Sequence, residues 1–218
     1  MKTWEAVHGR LRLGWLKRNY WHLEDGSMRI GVLAVQGAFA EHIALLRQLE
    51  VETLPVRLPT ELKGLDGLVI PGGESTSISR LMLDYNLVGE IRNLARSGLP
   101  ILGTCAGMIL LAKEILDHDV ELLGLMDITV RRNAFGRQKD SFETELTIPV
   151  LGGKSFPGVF IRAPVIEHAK SKVQTLARLN NGTIVAARQG RLLASAFHPE
   201  LTNDLRFHQY FLNVVASE

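Results

Sequence analysis

Apolar runs and helically spaced apolar positions alternate along the first half of this chain. Residues 29–35, RIGVLAV, form a short apolar run ending at Gln36-Gly37, as expected of a buried parallel strand. Over 38–49, apolar Ile43, Leu45, Leu46 and Leu49 recur at helical spacing. A second strand is predicted at 53–56 and a third at 68–70, stopped by Pro71-Gly72-Gly73. Ser75 to Ser77 are candidate caps for a helix over much of 78–87, with another running to about residue 96. Gly98-Leu99-Pro100 then breaks the chain before a strand at 101–104 and a strongly apolar helix at 106–115. This order predicts a parallel sheet with helices on both faces.

From about residue 122 the pattern turns β-rich. Strands are predicted at 127–130, 144–148, 159–162, 184–187 and 192–196, with hairpin signals at Asn180-Asn181-Gly182 and Gln189-Gly190. A helix at 205–215 closes the chain. No internal repeat, linker or low-complexity run appears, so residues 28–218 are expected to form one α/β domain with an antiparallel extension.

Residues 1–27 differ from the rest. They hold all three tryptophans (Trp4, Trp15, Trp21), and five basic against three acidic groups. The remainder is neutral, so the net charge of +2 belongs to this segment. It has no apolar core or cleavage site of a secretory signal, and its acidic residues and single serine do not suit a transit peptide. It reads as an added tag, a mis-assigned start with Met28 as the true one, or a docking arm whose Trp and Arg side chains would anchor a partner.

The 218 residues are 46% hydrophobic and 22% charged, which excludes a disordered or collagen-like chain. No apolar stretch approaches membrane-spanning length. The single cysteine, Cys105, rules out an intrachain disulfide framework and a Cys-rich zinc site. A reducing, cytoplasmic compartment fits. The small net charge gives no argument for nucleic acid. Neither a metal nor a cofactor is expected.

Four local signals carry chemistry. Gly103-Thr104-Cys105-Ala106-Gly107, between a predicted strand and helix, is the cysteine version of a nucleophile elbow. The turn would expose the thiol at a helix N-terminus, which favours thiolate. The N–H of Ala106 would then point where an oxyanion forms. Next, His198-Pro199-Glu200 offers an imidazole base and a carboxylate that would share a face of an extended segment. Third, Pro71-Gly72-Gly73-Glu74-Ser75-Thr76-Ser77 could complete an oxyanion hole, hold a phosphate, or serve only as a turn and cap; it lacks the lysine of a P-loop. The fourth is a polar cluster, Arg131-Arg132-Asn133-Ala134-Phe135-Gly136-Arg137-Gln138 with Phe160-Ile161-Arg162-Ala163-Pro164. It suits a carboxylate ligand or forms an exposed basic loop.

PGGES, GTCAG and FHPE, in that order, resemble the class I triad glutamine amidotransferases. The strings GVLAVQGAFAEH, RRNAFGRQ, SFE, FIRAP and FHPELTND look like those of the glutaminase subunits of two-component pyridoxal 5′-phosphate synthases. The likeness covers residues 28–218 and none of 1–27. It implies a flavodoxin-like three-layer α/β/α sandwich and hydrolysis of L-glutamine to glutamate and ammonia. Cys105 would be the nucleophile, His198 the general base and acid, and Glu200 the orienting carboxylate. Glutamine would lie against Gly73, Glu74 and Ser75, near Arg132, and against Ile161 and Arg162. Gly73 and Ala106 would form the oxyanion hole. The resemblance also implies a synthase subunit that receives the ammonia, with Gln36 placed where docking could be sensed. Arg131 departs from the glutamate that relatives commonly carry before the Arg-Asn pair. A glutaminase serving an imidazole or purine synthase would share the triad but not RNAFGRQ and FIRAP. A flavodoxin-like peptidase or deglycase would keep the elbow without the HPE pair.

Overall fold

The computed structural model describes residues 22–23, 26–116, 120–134 and 141–217. A short antiparallel pair, β1 (His22–Leu23) and β2 (Gly26–Ser27), precedes the main body. The first half runs β3 (Arg29–Leu33), α1 (Phe39–Gln48), β4 (Glu52–Val56), β5 (Gly67–Ile70), α2 (Ser75–Asp84), α3 (Leu87–Arg96), β6 (Ile101–Thr104) and α4 (Ala106–Leu111). The second half holds β7 (Ala112–Ile115), β8 (Met126–Arg131), β9 (Ser141–Leu146), β10 (Phe156–Ile161), β11 (Val165–Ala169), β12 (Gln174–Arg178), β13 (Ile184–Gln189) and β14 (Leu192–Ser195). It ends with α5 (Arg206–Ala216).

The central sheet has the order β4-β3-β5-β6-β14-β13-β11-β8-β7, with β12 also paired to β13. From β4 to β14 every neighbour is parallel. Beyond β14, strands β13 and β11 run antiparallel to their neighbours, and β7 lies parallel to β8 at the far edge. β9 and β10 form a separate antiparallel ribbon. Helices flank the sheet: α1 and α5 meet at His42 and His208, while α2 packs against α3 and α4. The result is the expected α/β/α sandwich with an antiparallel portion.

The parallel strands follow from composition. β5 and β6 are buried at every position, and Leu68, Val69, Ile70, Ile101 and Leu102 expose nothing. Such strands sit between two helical layers and read as continuous apolar runs. A ring cluster within the second half ties β10, the end of β14 and α5 together. Phe197 lies 5.7, 5.8 and 5.2 Å from Phe156, Phe160 and Phe207, tilted or edge-on, the geometry aromatic pairs prefer.

Three differences from the sequence reading have physical causes. The apolar run 106–115 is not one helix. It turns extended at Ala112 (φ −63°, ψ 151°), and Ala112–Ile115 pairs with β8 instead. The unbroken apolar stretch 106–112 carries no periodicity to separate the two states, and Lys113-Glu114 is too short to restore one. Strands β11 and β12 escape the sequence pattern because they lack clean alternation, and both pair through irregular register. The cap of α2 is Glu74, not Ser75–Ser77: its carboxylate accepts from the backbone N–H groups of Thr76 at 3.1 Å and Ser77 at 2.7 Å.

Candidate active site

Loops leaving the carboxyl ends of four adjacent parallel strands, β3, β5, β6 and β14, converge. They carry Gln36, Gly72–Glu74, Cys105 and His198 in turn. This edge is where open α/β sheets place their ligands.

Cys105 occupies the tight turn between β6 and α4. Its backbone has φ 47° and ψ −101°, a region that costs an L-residue about 1–3 kcal/mol. The surroundings enforce it. The Cys105 N–H donates to the Ser195 carbonyl at 2.8 Å. A Cβ at Gly107 would collide with the Ile70 carbonyl, so only glycine lets α4 start this close to β5. Asn133 (φ 45°) and Arg162 (φ 42°) are also left-handed and line the same cleft. Their loops are joined by the Ala134 N–H donating to the Ala163 carbonyl at 3.2 Å.

His198 and Glu200 follow β14. They do not lie on an extended segment, as the sequence suggested. His198 caps a single 3-10 turn, Pro199–Leu201, begun by Pro199. The turn curls the carboxylate back so that Nδ1 of His198 and Oε1 of Glu200 are 2.6 Å apart. The His198 N–H donates to the Val159 carbonyl on β10 at 2.8 Å, and Phe197 anchors the strand end in the ring cluster. Burial disfavours a charged imidazole here. The contacts with Cys105 and Glu200 outweigh it and push His198 up to about 10. Burial likewise favours a neutral Glu200, but the imidazoles of His42 and His198 hold its carboxyl below the ordinary value.

Gly72 sits between the two reactive side chains. A Cβ there would strike His198 Cε1 and come within 3.3 Å of Cys105 Cβ. The Gly72 carbonyl accepts from Ala38 N–H at 3.0 Å, and Gln36 Oε1 accepts from Glu74 N–H at 3.1 Å. The β3–α1 loop therefore grips the glycine loop at two points. Despite some desolvation, Glu74 is held down to about 2 by the Ser77 and Thr76 N–H groups and hydroxyls. Arg132 reaches across to Glu74 Oε1 at 3.2 Å and Thr76 Oγ1 at 3.4 Å. Ser75 Oγ is buried without a hydrogen-bond partner among the described residues.

The resulting cleft encloses about 280 Å³. Of the residues singled out by sequence, Cys105, His198, Gln36, Gly73, Glu74, Ser75, Arg132, Ile161 and Arg162 all line it. Glu200 stands behind His198, and Ala106 is buried at the start of α4. Ile109, Asn133 and Pro164 line it too; Asn133 and Pro164 belong to motifs already noted, whereas Ile109 gave no signal. Behind Glu200 lie His42 and His208, fully buried, which the sequence did not distinguish from packing histidines. Arg131 faces elsewhere. It pairs with Glu167 at 3.0 Å beside a separate cleft. Residues 135–138 of the RRNAFGRQ string, His118 and the tryptophans of the N-terminal segment lie outside the described residues. Among the described residues, no group of three acidic, His or Cys side chains could hold a metal ion, and no helix is long and apolar enough to cross a membrane.

Known proteins share this chain's sequence and shape. A model of the SNO glutamine amidotransferase family matches residues 32–217. The chain is 60% identical over 190 residues to the pyridoxal 5′-phosphate synthase subunit PdxT of Herpetosiphon aurantiacus, covering 86% of this chain and 100% of that protein. It is 56% identical over 188 residues to the subunit of the same name from Moorella thermoacetica, again covering 86% and 100%. A crystal structure of a glutamine amidotransferase superposes with a TM-score of 0.82 at 48% identity, covering 86% of this chain and 99% of that one. A chain from the structure of PurLQS of Thermotoga maritima, 16% identical, superposes with a TM-score of 0.61, covering 85% and 97%, and shares the fold.

Proposed function

The chain belongs to the SNO glutamine amidotransferase family, and from that premise we propose that it is the glutaminase subunit of a pyridoxal 5′-phosphate synthase. It hydrolyses L-glutamine to L-glutamate and passes the ammonia to a synthase subunit. Residues 28–218 are its glutaminase domain and residues 1–27 an extension outside it, a reading supported by a family match that begins at residue 32. A reducing cytoplasm suits a reaction that depends on one unpaired cysteine.

The observation that carries the reading is the convergence on one cleft of a strained cysteine, an imidazole bonded to a carboxylate at 2.6 Å, and a glycine loop spanned by Arg132. The chemistry follows from these groups. The Cys105 thiolate attacks the side-chain amide carbon of glutamine. The N–H groups of Gly73 and Ala106 receive the oxyanion, each worth about 3 kcal/mol in comparable oxyanion holes. His198 protonates the departing nitrogen, which leaves as ammonia, and a glutamyl thioester remains. Water, deprotonated by His198, attacks the thioester, releasing glutamate and restoring the thiol. Glu200 keeps the Nδ1–H of His198 in place, so Nε2 faces the reaction. Arg132, Arg162 and the unpartnered Ser75 hydroxyl supply donors for the α-carboxylate, Glu74 and Ile161 complete the substrate wall, and Gln36 senses docking of the synthase subunit through its hydrogen bond to the glycine loop.

The test is glutamate release from L-glutamine by the chain alone, with the synthase subunit, and by Cys105→Ala. Activity that rises with the partner and disappears in the variant is expected. Retained glutaminase activity in Cys105→Ala overturns the assignment.

A further inference from the structure

Glu200 has two oxygens, and His198 uses only one. The other, Oε2, is buried and has no well-aligned hydrogen-bond donor among the described residues; Nε2 of His42 lies 3.3 Å from it. His42 projects from α1 and exposes nothing. Its Nε2 also lies 3.1 Å from Thr104 Oγ1 on β6, and its Nδ1 lies 2.9 Å from Nε2 of His208 on α5. Three elements distant in sequence therefore close around the back of the carboxylate. Nδ1 of His208 has no partner among the described residues.

These contacts fix the protons. If His42 carried its proton on Nδ1, its Nε2 lone pair would face the Glu200 carboxylate, which repels it, and His208 would be left with a buried, unpaired N–H. The opposite assignment removes both conflicts. His208 Nε2–H donates to His42 Nδ1, and His42 Nε2–H lies between Thr104 Oγ1 and Glu200 Oε2. Leaving a buried donor unmet costs more than leaving a lone pair unmet, which decides between the tautomers.

Resting on the hydrolytic reading above, we propose that His42 is a positioning residue: held in its Nε2–H form by His208, it fixes the second oxygen of Glu200 and so the ring of His198. Burial pushes both His42 and His208 below the ordinary imidazole value, in keeping with a neutral donor pair. The ionisable groups around His42 are Glu200 and His198 from the 3-10 turn, His208 from α5 and Glu41 from its own helix. Without the His42 donor, Glu200 is free to rotate and is easier to protonate. His198 then loses its orientation more often, and at higher pH.

The test compares His42→Leu and His42→Gln in the complex with the synthase subunit. For His42→Leu, kcat falls about ten- to a hundred-fold, the range seen when an orienting partner behind a functional ligand is lost. KM for glutamine stays put and the acid limb of the kcat profile moves to higher pH. His42→Gln, which returns an N–H near the Nε2 position, recovers most of the loss. A folded His42→Leu with unchanged kcat and acid limb overturns the proposal. Nitrogen NMR of the wild-type chain reads the tautomers without any variant or activity: protonated Nε2 on both His42 and His208 supports it, and protonated Nδ1 on His42 overturns it. A wild-type complex that releases no glutamate sinks the hydrolytic reading, whereas the NMR result still decides the hydrogen bonds.

Discussion

The two sides of the His198 ring are built from opposite materials. In front lies the cleft wall, made of loops: Cys105, Asn133 and Arg162 hold positive φ, Arg132 bridges to Glu74, and Ser75 keeps an unmet hydroxyl. Behind lies a wall of regular elements, in which His42 from α1, Thr104 from β6 and His208 from α5 are buried without trace of solvent. Backbone strain collects where a substrate would sit, beside one unmet hydroxyl. Behind the ring, His42 is matched to His208 and Thr104, while Glu200 Oε2 and His208 Nδ1 are left without an aligned partner among the described residues. The front can therefore change chemistry with little effect on folding, while the back ties chemistry to folding.

The strongest way to sharpen this contrast is to alter the front alone. Cys105→Ala is expected to lose about 10⁶-fold in kcat, the scale of nucleophile removal, with its denaturation midpoint nearly unchanged. Cys105→Gly should be as inactive yet more stable than Cys105→Ala by about 1 kcal/mol, because glycine relieves the left-handed backbone. Urea melts of the two variants check this, and equal midpoints would remove strain from the account.

Glu200→Gln stands on the boundary between the walls. It should cost about 10⁴-fold in kcat, as expected when an orienting carboxylate becomes an amide. Unlike Cys105→Ala, it should also lower the melting temperature, since whichever way the amide turns its N–H₂ meets an imidazole N–H, of His198 or of His42.

Acid should break the back before the front. His208 titrates at 6.5 when unfolded and about 3 in the fold. Between these values the unfolded chain binds more protons, so stability falls as pH falls. The loss from pH 7 to pH 5 is about 2 kcal/mol from this residue. Glu200, depressed in the fold, adds to it at lower pH still. His198 has the opposite sign: raised to about 10, it stabilises fully below 6.5 and its contribution is lost as pH climbs through 10. Stability measured by urea across this range should peak near neutrality, and His208→Phe should flatten the acid limb. An unchanged acid slope in that variant would show that the pair is not the sensor.

The mildest change is Arg132→Gln. It removes one charged donor from the cleft and should raise KM for glutamine about ten-fold, the value of one charge-assisted hydrogen bond, with kcat largely kept. A fall in kcat at constant KM would place Arg132 with the positioning groups instead.

The front wall was legible in the sequence because its groups sit in short motifs. GTCAG, PGGES and FHPE each pack a turn, a reactive group and their glycines or proline into a few residues. The parallel strands were legible for a similar reason, since uniform burial leaves an unbroken apolar run. The back wall was not. His42 and His208 are 166 residues apart, and each is one polar residue among several on an ordinary amphipathic helix. Their meaning lies in a tertiary contact with no local pattern. The same holds for β7, which became a strand because β8 was beside it, and for β11 and β12, whose bulges erase alternation. Glu74 reads in the sequence as a ligand residue alone; much of its carboxylate is spent holding the first turn of α2.

The glycine seam around the nucleophile bears on what can be undone. At Gly37 and Gly107 an added methyl would strike main-chain carbonyls, those of Gly72 and Ile70. Most harmful core substitutions have suppressors, because a neighbouring side chain can shrink or turn to make room. A carbonyl has no smaller version. A genetic screen for second-site revertants of Gly107→Ala should thus return true reversions at codon 107 and little else, whereas one begun from Gly158→Ala, whose methyl would meet the Leu146 and Phe160 side chains, should yield compensating changes at those two positions.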